Sequence, residues 1–338
     1  MVKIILDAFG GDNSPSEIIK GAVKAINNNE DICIVLSGKV DIINNELAKY
    51  SYNSSQIEIM EANEVITNDD IASDAIRTKK DSSIVKAYDR LKKDDETIGF
   101  ISAGSTGAVL VGAFLKLGRL PGIHRPALCP ILPTLTGSTV SICDCGANMD
   151  CKPEYLEQFG VMASAYHNVL GKKKPKVALL NVGTEDHKGD TRTKETFELL
   201  KTNKYINFVG NMEARDLLTG NFDVVVTDGF AGNVLLKSTE GAMKSLLKTL
   251  KIEIKSHISS KIGALFMRKT FKSVKSKFDY SIYGGAILLG CKKLVVKAHG
   301  SSNAESIKSA IEQVYTMHKG KLIEKISKNL SSMGISNE

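Results

Sequence analysis

Short apolar runs that stop at a turn rich in glycine, asparagine or aspartate, then give way to a helical pattern, recur along almost the whole 338-residue chain. No other feature narrows the fold as much. Strands that alternate with helices need crossover connections, which pack as a parallel sheet with helices on both faces. The runs fall at 4–6, 32–36, 57–60, 98–101, 139–143, 177–180, 206–209, 223–227 and 294–296. Helical spacing of apolar residues predicts helices over 15–27, 82–92, 106–117, 153–170, 191–202 and 304–318. Pro15 and Pro153 suit a first helical turn, where a missing N–H costs nothing. The expected fold is a three-layer α/β/α unit with a mostly parallel sheet. No composition break divides it, so residues 1–338 are read as one catalytic unit, in one piece or two lobes.

In such a sheet the turns collect at the carboxyl ends of the strands, along one crest where ligands bind. The central example is Asp228-Gly229-Phe230-Ala231-Gly232-Asn233, between an apolar strand and a long helical pattern. A helix start with open backbone N–H groups favours an anion. The turn after 206–209, Gly210-Asn211, belongs to the same series. Neither a G-x-x-x-x-G-K-[ST] loop nor a G-x-G-x-x-G turn is present, which argues against the usual nucleotide sites. Any one glycine turn is explained by the needs of a short loop. Together they point to a small oxyanion held by backbone N–H groups and side-chain amides. The candidate binding residues are Gly10, Gly11, Asp12, Asn13, Gly104, Ser105, Thr106, Gly107, Asn148, Asn181, Gly183, Glu185, Gly189, Asp228, Gly229, Gly232, Gly284, Gly285, Ser301, Ser302 and Asn303.

Three side chains stand out as catalytic candidates: Lys188, Asn233 and His299. Lys188 reads either as a solvated loop residue or as a cation aimed at phosphate or a developing oxyanion. His299, at a strand end, reads either as structural or as a general acid or base. Arg119 and Arg125, in a glycine–proline loop, clamp an anion or pair with acids on the body.

Charge is concentrated in one place. Residues 241–278 hold ten Lys or Arg against one acid, Glu253; this net +9 leaves the rest of the chain at −2 against an overall +7. Met243, Leu246, Leu247, Leu250 and Ile254 form an apolar helical stripe. Lys244, Lys248, Lys251 and Lys255 line the same helix, Ser259-Ser260 break it, and Arg268, Lys269 and Lys272 follow in a second basic pattern. A protruding basic amphipathic helical hairpin is expected. It either packs on the body or a second subunit, or meets an acidic protein or anionic lipid. Without base-stacking aromatics, nucleic acid is not an expected partner.

The six cysteines lie mostly in apolar runs and lack metal-ligand spacing, so neither a metal nor a cysteine nucleophile is expected. No apolar run reaches the ~18 residues of a membrane span, and the start lacks signal-peptide character. A cytoplasmic protein is expected, peripherally membrane-associated if the basic segment binds lipid.

Residue for residue, the chain resembles the bacterial phosphate acyltransferases of the PlsX type from Asp7 to about Ile311. The matching stretches are Asp7-Ala8-Phe9-Gly10-Gly11-Asp12, Ser102-Ala103-Gly104-Ser105-Thr106-Gly107, residues 118–128, Asp144-Cys145-Gly146-Ala147-Asn148, Lys188-Gly189-Asp190, residues 228–233, residues 278–286, and His299-Gly300-Ser301-Ser302-Asn303-Ala304. The family usually has Met at position 9 and Asn at positions 105 and 190. The resemblance implies a fold similar to isocitrate/isopropylmalate dehydrogenases and phosphotransacetylases, and a homodimer without cofactors. It implies transfer of a fatty acyl group from acyl carrier protein to inorganic phosphate, giving acyl-phosphate for phospholipid synthesis. A membrane glycerol-3-phosphate acyltransferase would receive the product. Phosphate is itself a nucleophile, so none is required of the protein. The turns at 183–189 and 228–233 are expected to hold phosphate, with Lys188 and Asn233 as donors and His299 handling a proton. Three alternatives remain: a metal- and nicotinamide-dependent decarboxylating dehydrogenase of similar fold, for which no cluster of aspartates is found; a CoA-dependent phosphotransacetylase; or a non-catalytic lipid- or partner-binding scaffold.

Overall fold

The computed structural model describes residues 1–277 and 283–333. Residues 278–282 of the motif noted above, and the last five residues of the tail, lie outside the described residues. The chain begins with four strands, β1 (Val2–Asp7), β2 (Ile32–Gly38), β3 (Ile57–Glu61) and β4 (Thr97–Ser102), joined by α1 (Ser16–Asn28), α2 (Val40–Leu47), α3 (Ala72–Thr78) and α4 (Ser83–Lys93). Next come α5 (Thr106–Gly112), a π-helical turn (Ala113–Leu117) and β5 (Ala127–Cys129). Pro130 separates β5 from β6 (Ile131–Pro133), followed by β7 (Thr139–Cys143), α6 (Pro153–Val169), β8 (Lys176–Asn181), α7 (Thr191–Thr202), β9 (Asn207–Glu213) and β10 (Val224–Val226). The remainder is α8 (Gly229–Ser256), α9 (Ile258–Phe266), α10 (Arg268–Lys277), β11 (Ala286–Leu289), β12 (Leu294–Lys297), α11 (Ala304–Lys319) and α12 (Leu322–Ser332).

Among the described residues the strands form two sheets, in the orders β3-β2-β1-β4-β12-β11-β5 and β6-β7-β10-β8-β9. Most pairings are parallel; β11 with both its neighbours and β6 with β7 are antiparallel. The strands read as unbroken apolar runs because both faces are covered. In β1, Ile4 and Leu6 face one core with Ile19, Val296 and Ile307, whereas Ile5 faces the other with Tyr88, Phe100 and Val295. In β10, Val224 and Val226 join the core that holds Phe159 of α6, and Val225 packs with Leu235 of α8.

The α/β class and mostly parallel pairing agree with the expectation, with four differences. The single crest is two crests, because the chain leaves the first sheet at β5 and enters the second at β6. Gly210 and Asn211 lie inside β9 rather than in a turn. The first helix of the basic segment starts earlier and breaks elsewhere than expected: α8 is one 28-residue helix from Gly229 that ends before His257, and α9 and α10 follow it. Ser259 and Ser260 lie within α9 and break nothing. Finally, one more helix follows the last that the apolar spacing predicts: α12 runs to Ser332, with Leu322, Ile326 and Leu330 buried in the main core. Their i, i+4, i+8 spacing gives α12 a buried edge despite its lysines. Ile326→Ala should therefore cost about 2–4 kcal/mol in denaturant unfolding; a loss below ~0.5 kcal/mol would show that α12 contributes little to the core.

Candidate functional site

The first crest is built by the neighbouring parallel strands β1, β4 and β12. Their turns lock together: Asp12 N–H donates to Gly300 O (2.8 Å), and Asn13 Nδ2 donates to Ser301 O and Ser302 O (3.2 Å each). The packing leaves no room for side chains at two glycines. A Cβ on Gly10 would lie 2.6 Å from Gly104 N, and one on Gly11, at φ +93, would lie 2.8 Å from Gly300 O. Beneath them, buried Asp7 accepts from Ser102 Oγ (2.7 Å) and Phe9 N (3.2 Å), and burial raises its pKa. Ser105 and Asn303 accept from Ala108 N and Ser306 N, capping α5 and α11.

The second crest is built on β7, β10 and β8. Its centre is Asp144, fully buried, which accepts from Cys145 N, Ala147 N and Asn148 N and from Asn148 Nδ2. It also accepts from Leu128 N (2.8 Å), a β5 residue of the other sheet. Burial keeps its carboxyl above the usual range despite these donors. Gly232 packs so closely that a Cβ there would lie 2.0 Å from Asp144 O.

The helix start at 228–233 differs from the open anion cradle expected. Asp228 accepts from Ala231 N (2.8 Å), and Gly229 N–H donates to Asn148 O (2.7 Å). The protein's own groups occupy both donors. Asp228 also accepts from Arg192 Nη2 (2.7 Å).

The two crests face each other across a cleft of about 350 Å³. One side supplies Thr106, Lys297, His299 and Gly300; the other supplies Cys145, Gly146, Asn233 and, further along α8, Lys237 and Glu240. Leu128, Pro130, Ile131 and Leu132, where the chain changes sheets, give it an apolar wall, and Tyr283, Gly284 and Gly285 line it too. His299 Nδ1 accepts from Ser301 N (3.2 Å), which leaves the proton of the neutral ring on Nε2. The Cys145 thiol contacts Gly232 O (3.3 Å), and burial pushes its pKa far above that of a reactive thiol.

Next to the cleft is a cavity of about 390 Å³, walled by Gly10, Gly11, Asp12, Gly104, Ser105 and the segment 65–68. Thr106, Lys297 and Gly300 line both spaces. Lys297 was not singled out from the sequence. It is the last residue of β12, half-buried, and its Nζ donates to Ala103 O (3.3 Å) and to Ala298 O. Burial lowers its pKa to about 8, against the opposing charges of Asp7 and Asp12. The one sequence signal was a lysine closing an apolar strand directly before His299.

Asn233, His299, Gly284 and Gly285 therefore meet in the cleft, and the 10–12 and 104–106 turns in the cavity beside it. Gly107 is exposed in the first turn of α5, and Ser301 contacts His299. Ser302 is buried, and its Oγ has no hydrogen-bond partner among the described residues. Asn148 lines a third cavity of about 310 Å³ with Arg125 and Phe114. Lys188 lies elsewhere, exposed on the loop after β8, where Asn181 Nδ2 donates to its carbonyl (3.1 Å). Gly183, Glu185 and Gly189 share that loop and do not line the cleft. Asp190 caps α7 through Thr193 N (2.7 Å). Both polar departures from the family pattern, Ser105 and Asp190, thus fall at helix caps, where Ser, Asp and Asn serve alike.

Solved structures with this architecture include the EutD phosphotransacetylase from Staphylococcus aureus (TM-score 0.60, 16% identity, 93% of this chain and 94% of that one). A phosphotransacetylase from Streptococcus pyogenes is similar (TM-score 0.61, 18% identity, 96% and 94%), as is 4-hydroxythreonine-4-phosphate dehydrogenase from Klebsiella pneumoniae (TM-score 0.52, 14% identity, 95% and 100%). These likenesses define the fold class, one shared by phosphotransacetylases and dehydrogenases. The profile described as "Fatty acid synthesis protein" matches residues 2–325. Phosphate acyltransferase from Clostridium acetobutylicum is 47% identical over 98% of this chain and 99% of its own length, and that from Clostridium novyi 46% over 97% and 98%. The chain belongs to this phosphate acyltransferase family, and it is an enzyme that transfers acyl groups.

Asp228 caps α8 and accepts from Arg192 Nη2. Asp228→Ala should lower stability by about 1–3 kcal/mol in denaturant unfolding, and Asp228→Asn, which keeps a capping oxygen, by less. Equal losses in the two variants would show that the cap contributes nothing.

Proposed function

We propose that the enzyme moves a fatty acyl group from acyl carrier protein to inorganic phosphate, releasing acyl-phosphate for phospholipid synthesis. The observation that carries this reading is the cleft between the crests, in a chain 47% identical to a phosphate acyltransferase. Its apolar wall at 128–132 suits an acyl chain, and its polar residues suit a reacting thioester. Asn233 Nδ2 and His299 Nε2 are the donors for the tetrahedral oxyanion. The Cys145 thiol in the same wall stays protonated, which favours direct attack by phosphate over an acyl–cysteine intermediate. Thiolate is a good leaving group, so little acid catalysis is needed. Lys188, outside the cleft, is assigned to the loop that meets the carrier protein or incoming phosphate.

The test is direct. Acyl carrier protein thioester plus phosphate should give acyl-phosphate and free carrier protein in equal amounts, with none formed when phosphate is omitted. Asn233→Ala should lower kcat by about 100-fold. An acyl–protein adduct in the intact mass spectrum would rule out direct attack. Faster turnover with CoA thioesters would favour a phosphotransacetylase instead.

We also propose that α8 to α10 touch an anionic membrane, close to a membrane glycerol-3-phosphate acyltransferase that receives the product, and that the enzyme works as a homodimer. The support is composition and exposure. Leu246, Ile258, Leu265 and Phe266 are exposed, Phe266 at 84%, among the exposed Lys248, Lys251, Lys255, Arg268, Lys269 and Lys272. Such a surface buries apolar side chains at an interface while its cations meet headgroups. Reversing charge at Lys248, Lys251 and Lys255 should reduce co-sedimentation with anionic liposomes at least fivefold, by the loss of about 1 kcal/mol per lysine. Unchanged sedimentation and unchanged carrier-protein binding would reduce the segment to a packing element.

A further inference from the structure

We infer that Lys297 is a catalytic residue, its ammonium holding the attacking phosphate in the glycine-walled cavity at the wall that cavity shares with the cleft. The inference rests on the acyl-transfer reading and adds to it a seat for the nucleophile.

Position is the first argument. Lys297 lines both spaces and, among the described residues, is the one Lys or Arg in the wall of the 390 Å³ cavity. A group there can touch a phosphate on one side and the thioester on the other. The second argument is the fixing of its head. Two carbonyls, Ala103 O and Ala298 O, accept from Nζ and hold it between the β4 and β12 turns. An ammonium has three donors, so one is left for a ligand, already oriented. The third is charge. Among the described residues no carboxylate forms an ion pair with Lys297. Asp7, beneath it, is committed to Ser102 and Phe9 and is biased by burial toward its neutral form. Asp12, on the rim, is exposed to screening solvent. A half-buried cation without an ion-pair partner is favourable when an anion completes the site. With a pKa of about 8 it is still mostly charged at pH 7.

The step balances without a further reactant. An oxygen of hydrogen phosphate attacks the thioester carbonyl carbon, the C–O bond forms, and the C–S bond breaks with its electron pair leaving on sulfur. The proton carried by phosphate ends on that sulfur as the thiol, and Lys297 stays protonated throughout. Its positive charge offsets repulsion between the dianion and the developing oxyanion.

Two measurements test this. With Lys297→Ala, kcat/KM for phosphate should fall at least ~100-fold while KM for acyl carrier protein stays within about threefold. A merely structural lysine, bracing two carbonyls, would disturb both substrates alike. The second measurement needs no variant: in the wild-type enzyme, inorganic phosphate should slow acylation of Lys297 by a lysine-directed reagent, read by peptide mass spectrometry, with half-protection near the KM for phosphate. Full phosphate turnover in Lys297→Ala, equal losses for both substrates, or labelling of Lys297 indifferent to phosphate would each overturn the inference. If Lys297→Ala does not fold, the labelling result decides alone. A wild-type enzyme that makes no acyl-phosphate would instead overturn the acyl-transfer reading, and phosphate protection of Lys297 would still be measurable.

Discussion

The hydrogen bond from Leu128 N to Asp144 is the constraint on which the site depends. It joins β5 of one sheet to the turn after β7 of the other, at the edge of the cleft. A buried carboxyl is tolerated only when its oxygens are satisfied, and Asp144 meets that condition with donors drawn from both sheets. Removing it would leave buried N–H groups without acceptors in the 144–148 turn and in β5, and the turn in turn supports the start of α8 through Asn148 O and Gly229 N. Together with the core that the two sheets share, this side chain ties the two crests to each other at the edge of the cleft.

Much of this was legible in the sequence. The apolar runs became strands, and helix α7 runs over the residues its spacing indicated. Periodicity works where an element is long enough to repeat. It fails for β5 and β6, which have three residues each, flank a single proline and yet divide one sheet into two. Nothing in a three-residue apolar run says which sheet it joins. The α12 stripe was present but diluted by lysines, so its spacing did not mark a helix.

For the site, local pattern found the turns but not their state of occupation. The 228–233 turn has the composition of an anion cradle, and only the fold shows that Asp228 and Asn148 already take its donors. Asn233 and His299 come together because they terminate different sheets, a relation no spacing encodes. Lys297 escaped notice for a related reason. At a strand end it looks like any solvated lysine; its significance comes from the Ala103 carbonyl, 194 residues away in the chain, and from two cavities whose other walls are supplied by distant segments.

Helix α8 begins beside the cleft and ends, without a break, among exposed apolar and basic side chains. From Asn233 to Ser256 it spans ~35 Å at 1.5 Å per residue. A helix of that length is a lever. Moved as a rigid rod about its basic end, it carries a tilt of ~3° into a shift of about 2 Å at its first turn. Asn233, in that turn, is therefore coupled to the orientation of a segment more than ~30 Å away, at ~1.5 Å per residue.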